Sequence, residues 1–255
     1  MSNKFGLIGG KLGHSLSPAI HQLFFEYTGK NGSYELLETE LEALPELMGK
    51  LREGYVGTNV TIPHKLHVMP LLDKIAPEAA AIGAVNTIKF TSEGALGYNT
   101  DYFGFGRMLE YNDIKVNGKV CAVLGTGGAA RAVVKYLADK KCAKLYLVTR
   151  DVYRVDSHFA KIAPKIKVID YARLDALQGD VLVNCTPVGM FPKVDACPDI
   201  PYHLLSPRHL LYDLVYNPEE TLFLKRGAQQ GATIKNGLEM LHLQALASWE
   251  FWNER

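Results

Sequence analysis

At 255 residues, 47% hydrophobic and 22% charged, the chain has the composition of an ordinary globular protein and the length for two modest domains, each with its own core. Its formal net charge of +1, with Lys and Arg spread along the chain, argues against a phosphate-backbone binder, so no nucleic-acid partner is expected. No apolar run is long enough to cross a bilayer and no signal-peptide core follows the N-terminus, so no membrane is expected and the cytoplasm is the expected location.

Taken in chain order, runs rich in Val, Ile, Leu and Tyr predict strands over residues 4–8, 33–37 and 55–61, with amphipathic helices over 19–27 and 41–52 among them. Residues 87–90 and 95–98 flank Thr91-Ser92-Glu93-Gly94, a polar segment of hairpin length, and predict an antiparallel hairpin that closes a first sheet. A helix from Asp101 to about Tyr111 leads through the turn dipeptide Asn117-Gly118 into a second series. There, strands are predicted over 119–124, 144–148, 166–169, 181–184 and 210–215, with helices over 129–139 and 220–230. Such alternation implies an α/β fold with parallel sheets and crossover helices. After Asn236-Gly237, residues 238–252 predict a helix apolar on more than one face, a pattern suited to burial between layers, and it is expected to return to the first domain. The expected segments are 1–100, 101–236 and 237–255.

The clearest chemical signal is an apolar strand running through Val123-Leu124 into Gly125-Thr126-Gly127-Gly128-Ala129-Ala130 and a helix. Glycines there permit a tight turn and a close backbone approach, so that a pyrophosphate can meet the unpaired N–H groups and dipole of the helix N-terminus. The preceding strand, the following helix and the further strand–helix repeats favour dinucleotide binding over a plain turn. The next strand ends in Thr149-Arg150-Asp151, with Arg154 shortly after. Arginines favour the 2′-phosphate of NADP, whereas a lone acid favours the free hydroxyl of NAD. The competing reading makes Arg150 and Arg154 a solvated face and Asp151 a helix N-cap.

The first strand is followed by Gly13-His14-Ser15-Leu16-Ser17-Pro18. Ser17 before Pro18 suits an N-cap and first helical residue, so Ser17 has a structural explanation that Ser15 lacks. Two hydroxyls at a strand's carboxyl end suit a polar small molecule that needs hydrogen bonds without charge neutralisation. The third strand runs into Asn59-Val60-Thr61-Ile62-Pro63-His64-Lys65, which places an amide, a hydroxyl and an amine in a turn beside another strand end. Asn86, Asn99 and Asp101, each explicable alone as a turn or cap residue, are expected around the same cleft. His14 and His64 are read as supports of local backbone and His21 as helix packing. Four cysteines without a C-x-x-C pair and eight unclustered histidines predict neither a disulfide framework nor a metal site.

These strings, together with Gly83-Ala84-Val85-Asn86-Thr87, Asn99-Thr100-Asp101, Asn184-Cys185-Thr186-Pro187-Val188-Gly189-Met190 and Asn236-Gly237-Leu238-Glu239-Met240-Leu241 with Gln244, resemble the shikimate dehydrogenase family in the family's order. The resemblance implies an N-terminal α/β substrate domain, a Rossmann-type NADP domain and a C-terminal helix packing on the former. It implies that Ser15, Ser17, Asn59, Thr61, Asn86, Asp101 and Gln244 bond the hydroxyls and carboxylate of shikimate or 3-dehydroshikimate, with Tyr216 lending a hydroxyl from the opposite side. Lys65 and Asp101 match the family's catalytic pair. Gly125, Thr126, Gly127, Gly128 and Ala129 match its pyrophosphate loop, Thr149, Arg150 and Arg154 the adenosine end, and Thr186, Leu214 and Gly237 the nicotinamide end. Where many members carry an Asn-Arg-Thr string, this chain has Thr149-Arg150-Asp151, a departure that bears on NADP against NAD.

Oxidising a secondary alcohol with a nicotinamide acceptor requires removal of the hydroxyl proton, and Lys65 is read as the acid/base. A carboxylate beside an ammonium holds it charged, so Asp101 is read as orienting Lys65 and the substrate hydroxyl. Ser15 and Ser17 favour shikimate over quinate. The alternatives are a quinate/shikimate dehydrogenase using NAD or both cofactors, and a non-catalytic dinucleotide-binding sensor, which the pairing of Lys65 with Asp101 disfavours. A monomer or homodimer with a small-molecule substrate is expected.

Overall fold

A computed structural model describes residues 3–176 and 179–254; residues 1, 2 and 255, the outer ends of the expected segments, lie outside the described residues. In chain order, β1 (Asn3–Gly9), α1 (Ser17–Thr28), β2 (Gly32–Glu38), α2 (Leu44–Arg52), β3 (Gly57–Val60), β4 (Lys74–Ile75), α3 (Pro77–Ile82), β5 (Thr87–Thr91) and β6 (Gly94–Tyr98) are followed by α4 (Asp101–Tyr111). Then come β7 (Val120–Leu124), α5 (Gly128–Asp139), β8 (Lys144–Thr149), α6 (His158–Ile162), β9 (Lys167–Asp170), β10 (Val181–Asn184), β11 (Leu210–Asp213), α7 (Leu222–Gln229), β12 (Thr233–Lys235) and α8 (Leu238–Asn253). The chain forms two compact units, Met1–Gly104 with His242–Arg255, and Phe105–Leu241.

The first unit is built on a six-stranded sheet of order β2-β1-β3-β5-β6-β4. Strand β1 pairs in parallel with β2 and β3, β5 runs antiparallel to β3 and β6, and β4 lies parallel to β6. The hairpin read from the sequence is β5–β6, but it does not close the sheet: β4, only 2 residues long, occupies the edge beyond it. Strand periodicity of two divides the sheet's side chains cleanly between its faces. Ile8, Val60 and Ile88 pack with Leu44, Met48 and Leu51 of α2 and Ala79 of α3. On the opposite face, Phe5 packs with Phe25 of α1 and with Trp249 and Trp252 of α8, its ring centroid 4.8 Å from that of Trp252. The C-terminal helix thus returns to the first sheet because both of its tryptophans require apolar cover; losing such a side chain costs about 3–5 kcal/mol.

The second unit carries six parallel strands in the order β12-β11-β10-β7-β8-β9, the doubly wound arrangement of a dinucleotide fold. Ala122, Leu124, Val148, Leu182 and Leu211 of its strands pack with Phe223 and Leu224 of α7. Chain order reverses between β7 and β10, which are neighbours, so the segments leaving their carboxyl ends flank the switch point at which such sheets bind ligands.

Candidate active site

In the first unit the pleat decides what faces α8. Asn59 and Thr87 are Cα partners across β3 and β5, on the face opposite Val60 and Ile88. Gln244 and Ser248, one turn apart on α8, come down on that row. Asn59 Nδ2 donates to Ser248 Oγ (2.8 Å) and Thr87 Oγ1 (3.1 Å), and Asn59 Oδ1 accepts from the phenol of Tyr34 (2.8 Å). Ser248 Oγ also contacts the hydroxyls of Thr87 (2.9 Å) and Thr100 (3.1 Å).

This buried polar layer orients Asn86, whose Oδ1 accepts from Thr100 N (2.7 Å) and Thr87 Oγ1 (3.0 Å). Its Nδ2 is thereby aimed at Asp101 Oδ1, at 2.9 Å, while the other oxygen of Asp101 accepts from Lys65 Nζ at 2.5 Å. The Lys65 and Asp101 side chains are 13% and 7% exposed, so the pair is largely shielded from bulk solvent. Asp101 opens α4, but the amide cap there comes from Asn99, whose Oδ1 accepts from Tyr102 N (3.3 Å). The carboxylate is therefore free of capping duty and serves the lysine. Gln244 Oε1 joins the same cluster through Thr100 Oγ1 (3.4 Å) and Asn86 Nδ2 (3.5 Å).

Of the residues read as substrate contacts, Lys65, Asn86, Asp101, Asn59 and Gln244 form this hydrogen-bonded cluster. Asn59 sits one layer in: it is 5% exposed and its amide is spent on Tyr34, Thr87 and Ser248. Thr61 follows β3 and Ser15 follows β1, at the carboxyl ends of adjacent parallel strands. The cap read for Ser17 is not where the sequence put it. Ser17 is already inside α1, buried and without a cap bond, whereas Ser15 Oγ accepts from Ser17 N (3.2 Å) across the turn. Pro18 occupies the first turn, as expected, but with Leu16 in the cap position.

His64 is fully buried, its Nε2 2.9 Å from the carbonyl of Thr39, and His21 stacks on Tyr34 at 4.2 Å between centroids. Neither ring nitrogen of His21 meets a partner at hydrogen-bond geometry among the described residues. Burial drives its pKa from 6.5 down to about 3, the neighbouring Asn59 opposing only in part.

In the second unit, Gly125 leaves β7 at φ +100, a conformation side chains resist, and a Cβ there would press to 2.8 Å from Thr186 Cγ2. Gly127 is different: space beside it is open, and α5 begins with no side-chain cap on its N-terminal amides. That uncapped, side-chain-free helix end fits an anionic group such as a pyrophosphate. At the end of β8, Thr149 is half-buried and Arg150 exposed. Asp151 caps the short turn that follows, accepting from Tyr153 N (3.0 Å), and pairs with Arg154 at 3.3 Å. Its carboxylate is thus engaged with its own turn, as the N-cap reading had it, while Arg154 remains 89% exposed.

Past the carboxyl ends of β10 and β11, Thr186 N and Oγ1 both donate to Asn184 Oδ1, at 3.1 and 2.7 Å. Asp213, fully buried, accepts from Asn184 Nδ2 (2.9 Å), Val215 N (3.0 Å) and Thr221 Oγ1 (2.6 Å). Burial raises its pKa from 3.8 to about 6 against these three donors. Gly237 donates its N–H to Val215 O (3.1 Å) and abuts the carbonyl of Leu214, where no side chain fits. Tyr216 lies half-buried in the same unit.

Tyr34, Thr87, Thr100, Ser248 and Asp213 escaped the sequence reading. Two of them carried a usable signal: Thr87 breaks the apolar alternation of a strand directly after Asn86, and Ser248 stands four residues after Gln244 on one helix face.

Residues 7–88 match the shikimate dehydrogenase substrate binding domain. The chain is 43% identical, over 98% of its length and 92% of the relative's, to shikimate dehydrogenase (NADP(+)) of Clostridium beijerinckii. It superimposes with a TM-score of 0.91 on shikimate dehydrogenase 1 of Peptoclostridium difficile, at 42% identity, covering 98% of this chain and 91% of that one. It is similar also to shikimate 5-dehydrogenase of Thermus thermophilus in complex with NADP(H) and shikimate, with a TM-score of 0.89 and 33% identity over 98% and 93% of the two chains.

Proposed function

Because this chain belongs to the shikimate dehydrogenase family, we propose that it catalyses the NADP-dependent, reversible reduction of 3-dehydroshikimate to shikimate, a step toward the aromatic amino acids. The observation that carries the reading is the Lys65–Asp101 pair at 2.5 Å, held by Asn86 at 2.9 Å. When bound, NADP supplies the hydride acceptor or donor. Gly125, Thr126, Gly127, Gly128 and Ala129 would hold its pyrophosphate, Thr149, Arg150 and Arg154 its adenosine end, and Thr186, Leu214 and Gly237 its nicotinamide end.

Lys65 holds the proton that the substrate oxygen gains on reduction and returns on oxidation. Asp101 keeps the ammonium in place with one oxygen while Asn86 fixes the other, so the acid/base pair acts as a unit. Ser15, Ser17, Thr61, Asn86 and Gln244 bind the substrate's hydroxyls and carboxylate, and Asn59 supports that set from behind. We place the enzyme in the cytoplasm, as a monomer or homodimer without a nucleic-acid partner.

Initial rates followed at the absorbance of reduced nicotinamide test the reading, with shikimate and quinate each run against NADP and NAD. Turnover of shikimate with NADP, well above that of quinate, is expected. Comparable kcat/KM on both substrates would favour a dual quinate/shikimate enzyme, a ratio favouring NAD would reverse the cofactor assignment, and no turnover with any pair would leave the non-catalytic sensor.

A further inference from the structure

Asn184 and Asp213 are the last residues of neighbouring parallel strands, in register, and both are fully buried. A carboxylate only accepts hydrogen bonds. Oδ1 of Asp213 therefore admits Asn184 by its Nδ2 alone, which forbids the flipped amide and turns Asn184 Oδ1 toward the N–H and hydroxyl of Thr186. Thr186 Oγ1 in turn accepts from Val188 N (3.3 Å). On its other flank the same Asp213 oxygen accepts from Val215 N, and Val215 O receives Gly237 N while Leu214 N bonds Asn184 O. One carboxylate thus fixes the backbone around Thr186, Leu214 and Gly237 together.

Packing does not explain an acid there. Asp213 has no cationic partner among the described residues, and an acid buried on hydrogen bonds alone is a costly choice beside an apolar side chain. We propose that Asp213, acting through Asn184, is a positioning residue that sets the nicotinamide half of the cofactor site and leaves the adenosine half untouched. This rests on the NADP reading above.

The test compares NADP with adenosine 2′,5′-bisphosphate, which carries the adenosine end and lacks the nicotinamide, by isothermal titration to wild type, Asp213→Ala, Asn184→Ala and the double variant; alanine is used because asparagine would keep the oxygen that Asn184 and Val215 bond. In either single variant the Kd for NADP is expected to rise about tenfold or more, worth about 1.4 kcal/mol per tenfold, while that for the bisphosphate stays within about twofold. The double variant is expected to be no worse than the poorer single one, since both residues serve one chain of contacts. Equal weakening of both ligands would show that Asp213 supports the unit as a whole, and unchanged NADP binding would show that it positions nothing; either overturns the proposal. Independent, additive losses would overturn the relay through Asn184. If wild type binds neither ligand, the cofactor reading itself fails and this proposal falls with it. Circular dichroism of each variant confirms folding, and Asn184→Ala decides the question should Asp213→Ala not fold.

Discussion

The Asn59–Ser248 contact offers the sharpest test of how the substrate face is held. Ser248 Oγ lies within 3.1 Å of four groups: Asn59 Nδ2, Thr87 Oγ1, Thr100 Oγ1 and the carbonyl of Gln244. A hydroxyl has one proton and accepts twice, so three of these contacts can hold at once. Ser248→Ala removes them, but the Asn59 amide keeps Thr87 Oγ1 at 3.1 Å and Asn86 O at 3.3 Å as alternative acceptors. The cost therefore falls in the lower part of the range for an orphaned buried group, about 1–2 kcal/mol. Asn59→Ala lacks that recourse. It leaves the half-buried Tyr34 phenol without the Asn59 acceptor and opens a void where the buried Asn59 stood, for about 2–4 kcal/mol. Because the shared bond is lost only once, the double variant should be more stable than the sum of the two by about 1 kcal/mol. Denaturant titrations read by tryptophan fluorescence suit the measurement, since the chain has 2 tryptophans and both, Trp249 and Trp252, are buried in the first unit. Losses that add to within about 0.5 kcal/mol, or a neutral Ser248→Ala, would refute the network as drawn.

Lys65→Ala should lower kcat by about 10²–10⁴, the scale for a positioned acid/base group. Asp101→Asn should lower it as well, the two combining less than additively because they share a bond of 2.5 Å; a change confined to KM would reduce Lys65 to a binding residue. Arg150→Ala should weaken NADP by about 1.5–3 kcal/mol and leave NAD nearly unmoved, as measured by the ratio of their kcat/KM values; an indifferent ratio would make the arginines a solvated face. His21 gives a pH signature. Its folded pKa of about 3 lies below the unfolded 6.5, so its contribution is complete above pH 6.5 and is lost as pH falls from there toward 3. Between pH 7 and 5 that loss is about 2 kcal/mol, at about 1.4 kcal/mol per pH unit below the unfolded pKa. His21→Phe should remove this part of the acid sensitivity, and a variant whose stability falls with pH as steeply as wild type would refute it.

Local pattern alone determined the strand–helix alternation, the hairpin and the glycine-rich turn, whereas Lys65 and Asp101, 36 positions apart, were paired only by family resemblance. Each of the first three is written in neighbouring residues: a strand ending in Gly125 and opening α5 is recognisable because the turn, the missing side chains and the helix start are contiguous. Strands β4 and β12 and helices α3 and α6, with 2, 3, 6 and 5 residues, are too short to show a period. Ser17 lies inside α1 and not at its cap because a cap depends on where the helix starts, which packing against the sheet shifts by a residue or two. The support of the site lay beyond sequence for a stronger reason. Asn59 and Ser248 are 189 positions apart, Asn184 and Asp213 are 29 apart, and a buried polar side chain declares its partner only when distant strands and helices are brought into register. Sequence marks the polar residue; the tertiary fold alone removes its water and decides what must replace it.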